Sequence, residues 1–269
     1  MSDEARLRGY VGVWWRAVED FTHLLEQVPP EQWSAPTDLP GWDVHACAAH
    51  TAHLESVLAG GPEETLVLEA PAHVRGVLGL YTEQGVVARR DRTPGELITE
   101  IRESCTQRHT RLLETPPTDA AAKPDIIFGG VDWSWEVLLR NRPLDVWMHE
   151  QDVRRAIGRP GGLDSPAAQH TVDYLLESLA MVLAKRAVAP AGSTLVVEVE
   201  GSEPAAFGVR ADGKGARLPA VPEEPTVLLR LSREDFVVLA GGRRRSTAVI
   251  AEGDGELAAR VLSSMAVTP

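Results

Sequence analysis

From the N-terminus to Ile157 the apolar residues recur every three or four positions, the period of helices buried on one side. Val11, Trp14, Val18, Phe21 and Leu25 share one face, and Pro29-Pro30 ends that segment. After the turn Leu39-Pro40-Gly41-Trp42, Asp43 is placed to cap a second helix. Its stripe holds Val44, Cys47, Ala48, Thr51, Leu54, Glu55 and Leu58, and Gly60-Gly61 stops it. Some helix is expected around residues 74–87. Thr93-Pro94 is an N-cap and first-turn pair for a long helix that turns Leu97, Ile101, Cys105 and Leu112 inward. A last helix runs from Trp135 to Ile157, and Pro143 inside it is expected to kink it or to start a new segment. Four long antiparallel helices predict a bundle.

Beyond residue 166 the pattern changes. Residues 167–187 read as one amphipathic helix. Thr194–Glu200 alternates and is rich in β-branched residues, as a strand is. Phe207–Arg210, Thr226–Leu231 and Ser246–Ala251 read as further strands. Ser232 caps a short helix with an acidic first turn, and Asp254 opens a closing one. Strands bracketed by helices predict a small α/β domain, and the whole chain is α+β. The turn-rich stretch from Gly158 to Pro166 sets the boundary, giving domains 1–163 and 164–269. Every tryptophan lies at or before Trp147, so the two cores differ in construction.

Composition narrows the function. The 269 residues are 43% hydrophobic and 25% charged, the make-up of a soluble globular protein. A net charge of −12 opposes nucleic acid and anionic membranes as partners. No apolar run approaches the roughly 18 residues of a membrane span. The opening residues lack the apolar core of a secretion signal, and two cysteines make no disulfide framework. The expectation is a reduced, cytoplasmic protein that handles small molecules. It carries no Gly-x-Ser-x-Gly elbow, dinucleotide fingerprint or phosphate-binding loop.

The candidate chemistry is in the histidines. His50 lies on the flank of its helix's apolar stripe, whereas His45 and His53 are expected to face water. Asp145 and His149 stand at i and i+4, on one helix face near the buried side. A carboxylate and an imidazole facing a histidine of another helix make an open three-ligand site, as in catalytic zinc centres. The same spacing fits an Asp–His pair hydrogen-bonded at the bundle end. Arg142, one turn before Asp145, either supports it or reaches solvent. Cys47 and Cys105 read as buried structural thiols, His109 as a core or surface residue, and Trp14, Trp15, Trp133, Trp135 and Trp147 as core.

Leu39-Pro40-Gly41-Trp42 followed by His50, then Asp145-x-x-x-His149 with Asp152 and Arg154, resembles the mycothiol-dependent maleylpyruvate isomerase family of the DinB-like metalloenzymes. The C-terminal run Leu239-Ala-Gly-Gly-Arg243, then Ala251-Glu-Gly-Asp254, is similar too. The resemblance implies a metal-binding four-helix bundle and a smaller, sterol-carrier-like α/β domain. It implies a divalent metal, expected to be zinc, on His50, Asp145 and His149, with Arg243 at the family's Gly-Arg position as a catalytic candidate. Arg243, Arg244 and Arg245 fit a carboxylate clamp or a basic surface turn, Arg243 matching the family position best. The family carries glutamate where this chain has Asp145, one methylene shorter. The implied co-substrate is the thiol mycothiol, because a coordinated thiol is deprotonated and the thiolate is the nucleophile. It adds to a conjugated double bond, which rotates before the thiol leaves (isomerisation), or the adduct is kept (S-transfer). S-transfer ranks slightly ahead on the sequence, since nothing specifies a dicarboxylate pocket. The competing classes are a non-enzymatic small-molecule binder and a thiol-independent metal hydrolase.

Overall fold

The computed structural model describes residues 1–243 and 248–268. The chain divides into two units, Met1–His170 and Thr171–Pro269. The first is helical. Helix α1 (Asp3–Glu26) is capped by Ser2, α2 (Val44–Ala59) by Asp43, and α5 (Trp135–Ala156) by Ser134. Helices α3 (Gly76–Ala88) and α4 (Pro94–Glu114) lie between them in sequence. Thr93 and Glu96 form a full capping box at the start of α4: each side chain accepts from the other residue's backbone N–H. Helix α5 continues through Pro143 without restarting. Leu139 and Leu144 on either side of the proline are buried, and that packing holds the helix together despite the missing hydrogen bond.

The four long helices close a ring of contacts in which α1 packs on α4 and α5, and α2 packs on the same two. The expected inward faces are buried: Val11, Trp14, Val18, Phe21 and Leu25 on α1, and Leu97, Ile101, Cys105 and Leu112 on α4. Each large apolar side chain removed from water in this way contributes about 1.5–3 kcal/mol.

Helix α2 departs from its expected one-sided pattern. It is buried nearly all round because α3 covers the side away from α4 and α5. His53, expected to face water, is therefore fully buried, with the Tyr81 ring of α3 5.0 Å away. The helix expected around residues 74–87 carries no local sign of the face it covers. His45 is half-buried and donates to the Arg92 carbonyl at 2.8 Å.

The second unit is built on a five-stranded mixed sheet, ordered β3-β2-β1-β4-β5. Strand β1 (Thr194–Val199) pairs antiparallel with β2 (Ala205–Val209) and parallel with β4 (Val227–Leu231). Strand β3 (Gly215–Arg217) extends one edge and β5 (Ile250–Gly253) the other. Strand β3 has three residues, too few for a readable alternation, and was not expected. The strand expected from Ser246 begins at Ile250; Ser246 and Thr247, like Arg244 and Arg245, lie outside the described residues.

The helix expected over 167–187 stays helical in its backbone but changes its winding. Helix α6 (Pro166–Glu177) is followed by a short turn of helix α7 (Leu179–Met181) and a π-helical turn over Val182–Arg186. This segment lies close against the sheet: a Cβ on Gly215 of β3 would lie 1.8 Å from the Ala180 carbonyl oxygen. Helices α8 (Arg233–Ala240) and α9 (Gly255–Ser263) begin at their expected caps, Ser232 and Asp254. Among the described residues no helix is long and apolar enough to cross a membrane.

The seat of α3 on α2 is testable. A Cβ at Gly85 would lie 2.1 Å from His53 Cδ2. Gly→Ala in an open helix stabilises by about 1 kcal/mol, but overpacking costs about 1–3 kcal/mol. At 2.1 Å the clash sits at the upper end of that range, so after the propensity gain Gly85→Ala is expected to lower unfolding free energy by about 2 kcal/mol in a urea titration, and His53→Ala to relieve most of that loss. A Gly85→Ala protein as stable as the parent would refute this packing.

Candidate metal centre

Two helices bring the expected ligands together. His50 comes from the middle of α2, and Asp145 and His149 stand one turn apart on α5. One donor atom from each lies within 4.8 Å of the others. The two imidazole centroids are 4.7 Å apart and their planes cross at 68°. Asp145 Oδ2 is 3.4 Å from His50 Nε2, and Asp145 Oδ1 is 3.8 Å from His149 Nε2. Both distances exceed the usual hydrogen-bond range. His50 is 4% exposed, and among the described residues neither of its ring nitrogens has a hydrogen-bond partner.

That last observation tests the fit of a metal. A buried imidazole with no partner on either nitrogen is costly to leave as it is, and one carboxylate with two imidazoles is a donor set for a divalent ion. The protonation states agree. Burial pushes the His50 imidazole below its ordinary pKa against the pull of Asp145. Burial would raise Asp145, but Arg142, followed by His50 and His149, outweighs it and holds the carboxyl well below the usual range. Neutral imidazole and ionised carboxylate are the forms that bind metal. The residues present fit a divalent ion.

Behind each α5 ligand stands a charged partner. Asp152 Oδ2 lies 3.2 Å from His149 Nδ1, the nitrogen turned away from Asp145. Asp152 is fully buried and receives Arg155 Nη2 at 2.6 Å, while Arg155 Nε donates to Asp38 at 2.7 Å. A carboxylate behind a histidine orients the ring and raises its basicity toward a metal. Arg142, left open between two roles by the sequence, is buried: its Nη2 is 3.0 Å from Asp145 Oδ2 and 2.9 Å from Glu55 Oε1. Glu55 also pairs with Arg108 at 2.9 Å and accepts from Trp14 Nε1 at 3.0 Å. Sequence reasoning gave Glu55 and Arg108 no role. The available signal was a glutamate lying on an otherwise apolar stripe, since a buried carboxylate requires a cation.

The Leu39–Trp42 turn forms a wall of the site. Trp42 lies 5.0 Å from the His50 ring and 5.7 Å from that of His149, centroid to centroid. Its Nε1 donates to Glu83 Oε2 at 2.9 Å, and His73 Nε2 reaches the same oxygen at 3.2 Å. The backbone at Gly41 has φ +82°, and a Cβ there would lie 2.4 Å from His73 Nδ1, so only glycine fits the turn.

The remaining candidates are placed as follows. Cys47 is buried and groups with His149 and Asp152, again within 4.8 Å; Asp152 in that group is already paired with Arg155. Cys105 is buried, and burial raises its thiol well above the ordinary value. His109 stacks on Trp15 at 4.3 Å. Trp14 and Trp147 are buried, while Trp133 and Trp135 are partly so. Arg243 belongs to the second unit, where its Nη1 donates to the Gly241 carbonyl and to Thr268 Oγ1.

Residues 14–154 match the family model described as the mycothiol maleylpyruvate isomerase N-terminal domain, and residues 169–260 match the corresponding C-terminal domain. Two solved structures are similar over 94% of this chain and 96% of their own, at 19% identity. One is the crystal structure of the mycothiol-dependent maleylpyruvate isomerase (TM-score 0.58), the other a histidine-to-alanine mutant of it (TM-score 0.55). At that identity the likeness speaks for the fold. No curated protein matches the chain.

Two consequences of the buried charges are measurable. Glu55→Ala leaves Arg108 and Arg142 without their shared carboxylate, and unfolding free energy should fall by about 3–5 kcal/mol in a denaturant titration; a loss below 1 kcal/mol would refute the pairing. Burial, followed by Arg89, pushes His53 down to about 3. Its ordinary value is near 6.5, so between those two values the unfolded chain binds a proton that the folded chain refuses. Stability from this residue is intact above pH 6.5 and falls as pH drops toward 3, by up to ~1.4 kcal/mol per unit. Unfolding free energy measured from pH 7.5 to 4 should therefore fall less steeply in His53→Gln; parallel curves would count against the assignment.

Proposed function

Since this chain belongs to the mycothiol maleylpyruvate isomerase family, we propose that it is a metal-dependent enzyme that uses mycothiol to isomerise a small, conjugated cis-alkene. The observation that carries the reading is the convergence of His50, Asp145 and His149, with the buried ring nitrogens of His50 hydrogen-bonded by no described residue. These three residues would hold the ion, zinc being the expected one, in a DinB-like four-helix bundle followed by a sterol-carrier-like domain. A divalent ion bound there supplies the acidity that strips the proton from a thiol at neutral pH.

The chain's own residues do the positioning. Asp152 and Arg155 orient His149, Arg142 holds Asp145, and the Trp42 indole shields the imidazoles on one side. Thiolate addition makes the substrate double bond single, rotation follows, and loss of the thiol restores the double bond in the trans form. Arg243 is a carboxylate-binding candidate of the second unit, because a guanidinium grips carboxylates bidentately. S-transfer stands as a second reading on one observation. Arg142 and Arg155, the arginines in contact with this network, are each already shared between two carboxylates, as suits an uncharged electrophile.

Protein purified without chelator is expected to carry near-stoichiometric metal, lost in His50→Ala and His149→Ala. Turnover of maleylpyruvate should require both that metal and mycothiol, and Arg243→Ala should raise KM while leaving metal content unchanged. A mass-detected thiol adduct without isomerised product would select S-transfer. Metal-free protein carrying a bound lipid, or turnover independent of thiol, would overturn the proposal.

A further inference from the structure

Trp42 is held by both its backbone and its side chain. Its N–H donates to the Leu39 carbonyl at 3.1 Å, and its own carbonyl accepts from Thr37 N–H at 3.1 Å and from Thr37 Oγ1 at 2.8 Å. With the backbone fixed, two side-chain torsions remain, and Glu83 sets them: its Oε2 accepts from Trp42 Nε1 at 2.9 Å. Glu83 stands in the middle of α3 and is buried. His73 Nε2 lies 3.2 Å from the same oxygen, and the Gly41 backbone closes on the Nδ1 side of that ring. Anchored in this way, the indole lies beside both expected imidazole ligands, inclined by 45° to His50 and by 38° to His149. Those two rings come from different helices, and one indole meets both. Nε1 is the only polar atom of an indole, and Glu83 takes it, so the surface offered to the imidazoles is carbon.

We propose that Glu83 is a positioning residue: by anchoring Trp42 Nε1 it keeps an apolar ring against His50 and His149, so that the coordination position left open by three protein ligands favours sulfur over water. The inference rests on the metal reading above and deepens it. An ordered water in a protein needs about two to four polar partners, and a carbon surface supplies none. A thiol is only a weak hydrogen-bonding group and loses little in the same surroundings. Excluding water also strengthens the attraction between an ion and a thiolate, because screening falls. A carboxylate suits the anchor, since a charged acceptor holds an N–H about twice as strongly as a neutral one.

The test uses the full chain loaded with Co²⁺ and 2-mercaptoethanol as the thiol probe, with affinity read from the thiolate-to-cobalt absorption. Two variants cut the anchor from opposite ends. Glu83→Met removes the acceptor, and Trp42→Phe removes Nε1 while keeping an aromatic ring. Each is expected to weaken thiol binding about tenfold, as for one hydrogen bond to a charged group, with Co²⁺ content unchanged. In the double variant the losses should not add, because both changes remove the same contact. Glu83→Gln keeps a weaker acceptor and should bind thiol more tightly than Glu83→Met. It carries the cycle if Glu83→Met fails to fold, folding being checked by circular dichroism. Folded variants with wild-type thiol affinity would overturn the inference and leave the metal reading standing. Additive losses would overturn it as well, since Glu83 would then act by a route other than Trp42. So would a wild type that takes up Co²⁺ but gives no thiolate band. A wild type that binds no Co²⁺ would overturn the metal reading and this inference together.

Discussion

A carboxylate in the middle of a helical core must be paired, and the pairing of Glu55 organises much of the first unit. Its side chain is wholly buried between Arg108 of α4 and Arg142 of α5, with the Trp14 indole of α1 as a third donor. One residue of α2 thus touches all three of the other long helices through polar contacts. Burial alone would raise its pKa; Arg142 and Arg108 outweigh that and keep it ionised. An apolar core of the same volume can be as stable or more so. What the charges add is a fixed register: sliding α5 along α2 would strand Arg142 and Glu55 at once.

That register is also what builds the candidate centre. On α5, Arg142, Asp145, His149 and Asp152 fall within an arc of roughly 80°, taking about 100° per residue. A single helix face therefore presents, in order, a brace, a carboxylate, an imidazole and the carboxylate behind that imidazole. Helix α2 supplies the opposing imidazole, His50, five residues before the glutamate that locks the pair of helices. Fixing Glu55 on Arg142 thereby also fixes His50 beside His149. Stability and site geometry rest on the same contact, although Glu55 itself touches none of the three expected ligands except through Arg142.

One side of the site is built from irregular segments. Trp42 and His73 both meet the buried Glu83 of α3. They come from the turn before α2 and the segment before α3, both outside the helices. Their order comes from a few polar contacts and from glycine at position 41, rather than from a large apolar face. Substrate-contacting surfaces are commonly built this way, on irregular segments held against a regular scaffold.

The sequence by itself determined the elements whose information is local. Caps at Asp43, Thr93, Ser232 and Asp254 and the apolar periodicity of α1, α4 and α5 are set by neighbours within a turn or two, so they could be read directly. The i, i+4 placement of Asp145 and His149 was legible for the same reason. Tertiary structure alone decided the rest. It buried His53 under α3, changed the winding of the helix beyond Glu177, carried α5 through Pro143, and chose for Arg142 the inward role over the outward one. Each of these depends on a partner distant in the chain, and a side chain's environment is set by what packs against it, which no local period records.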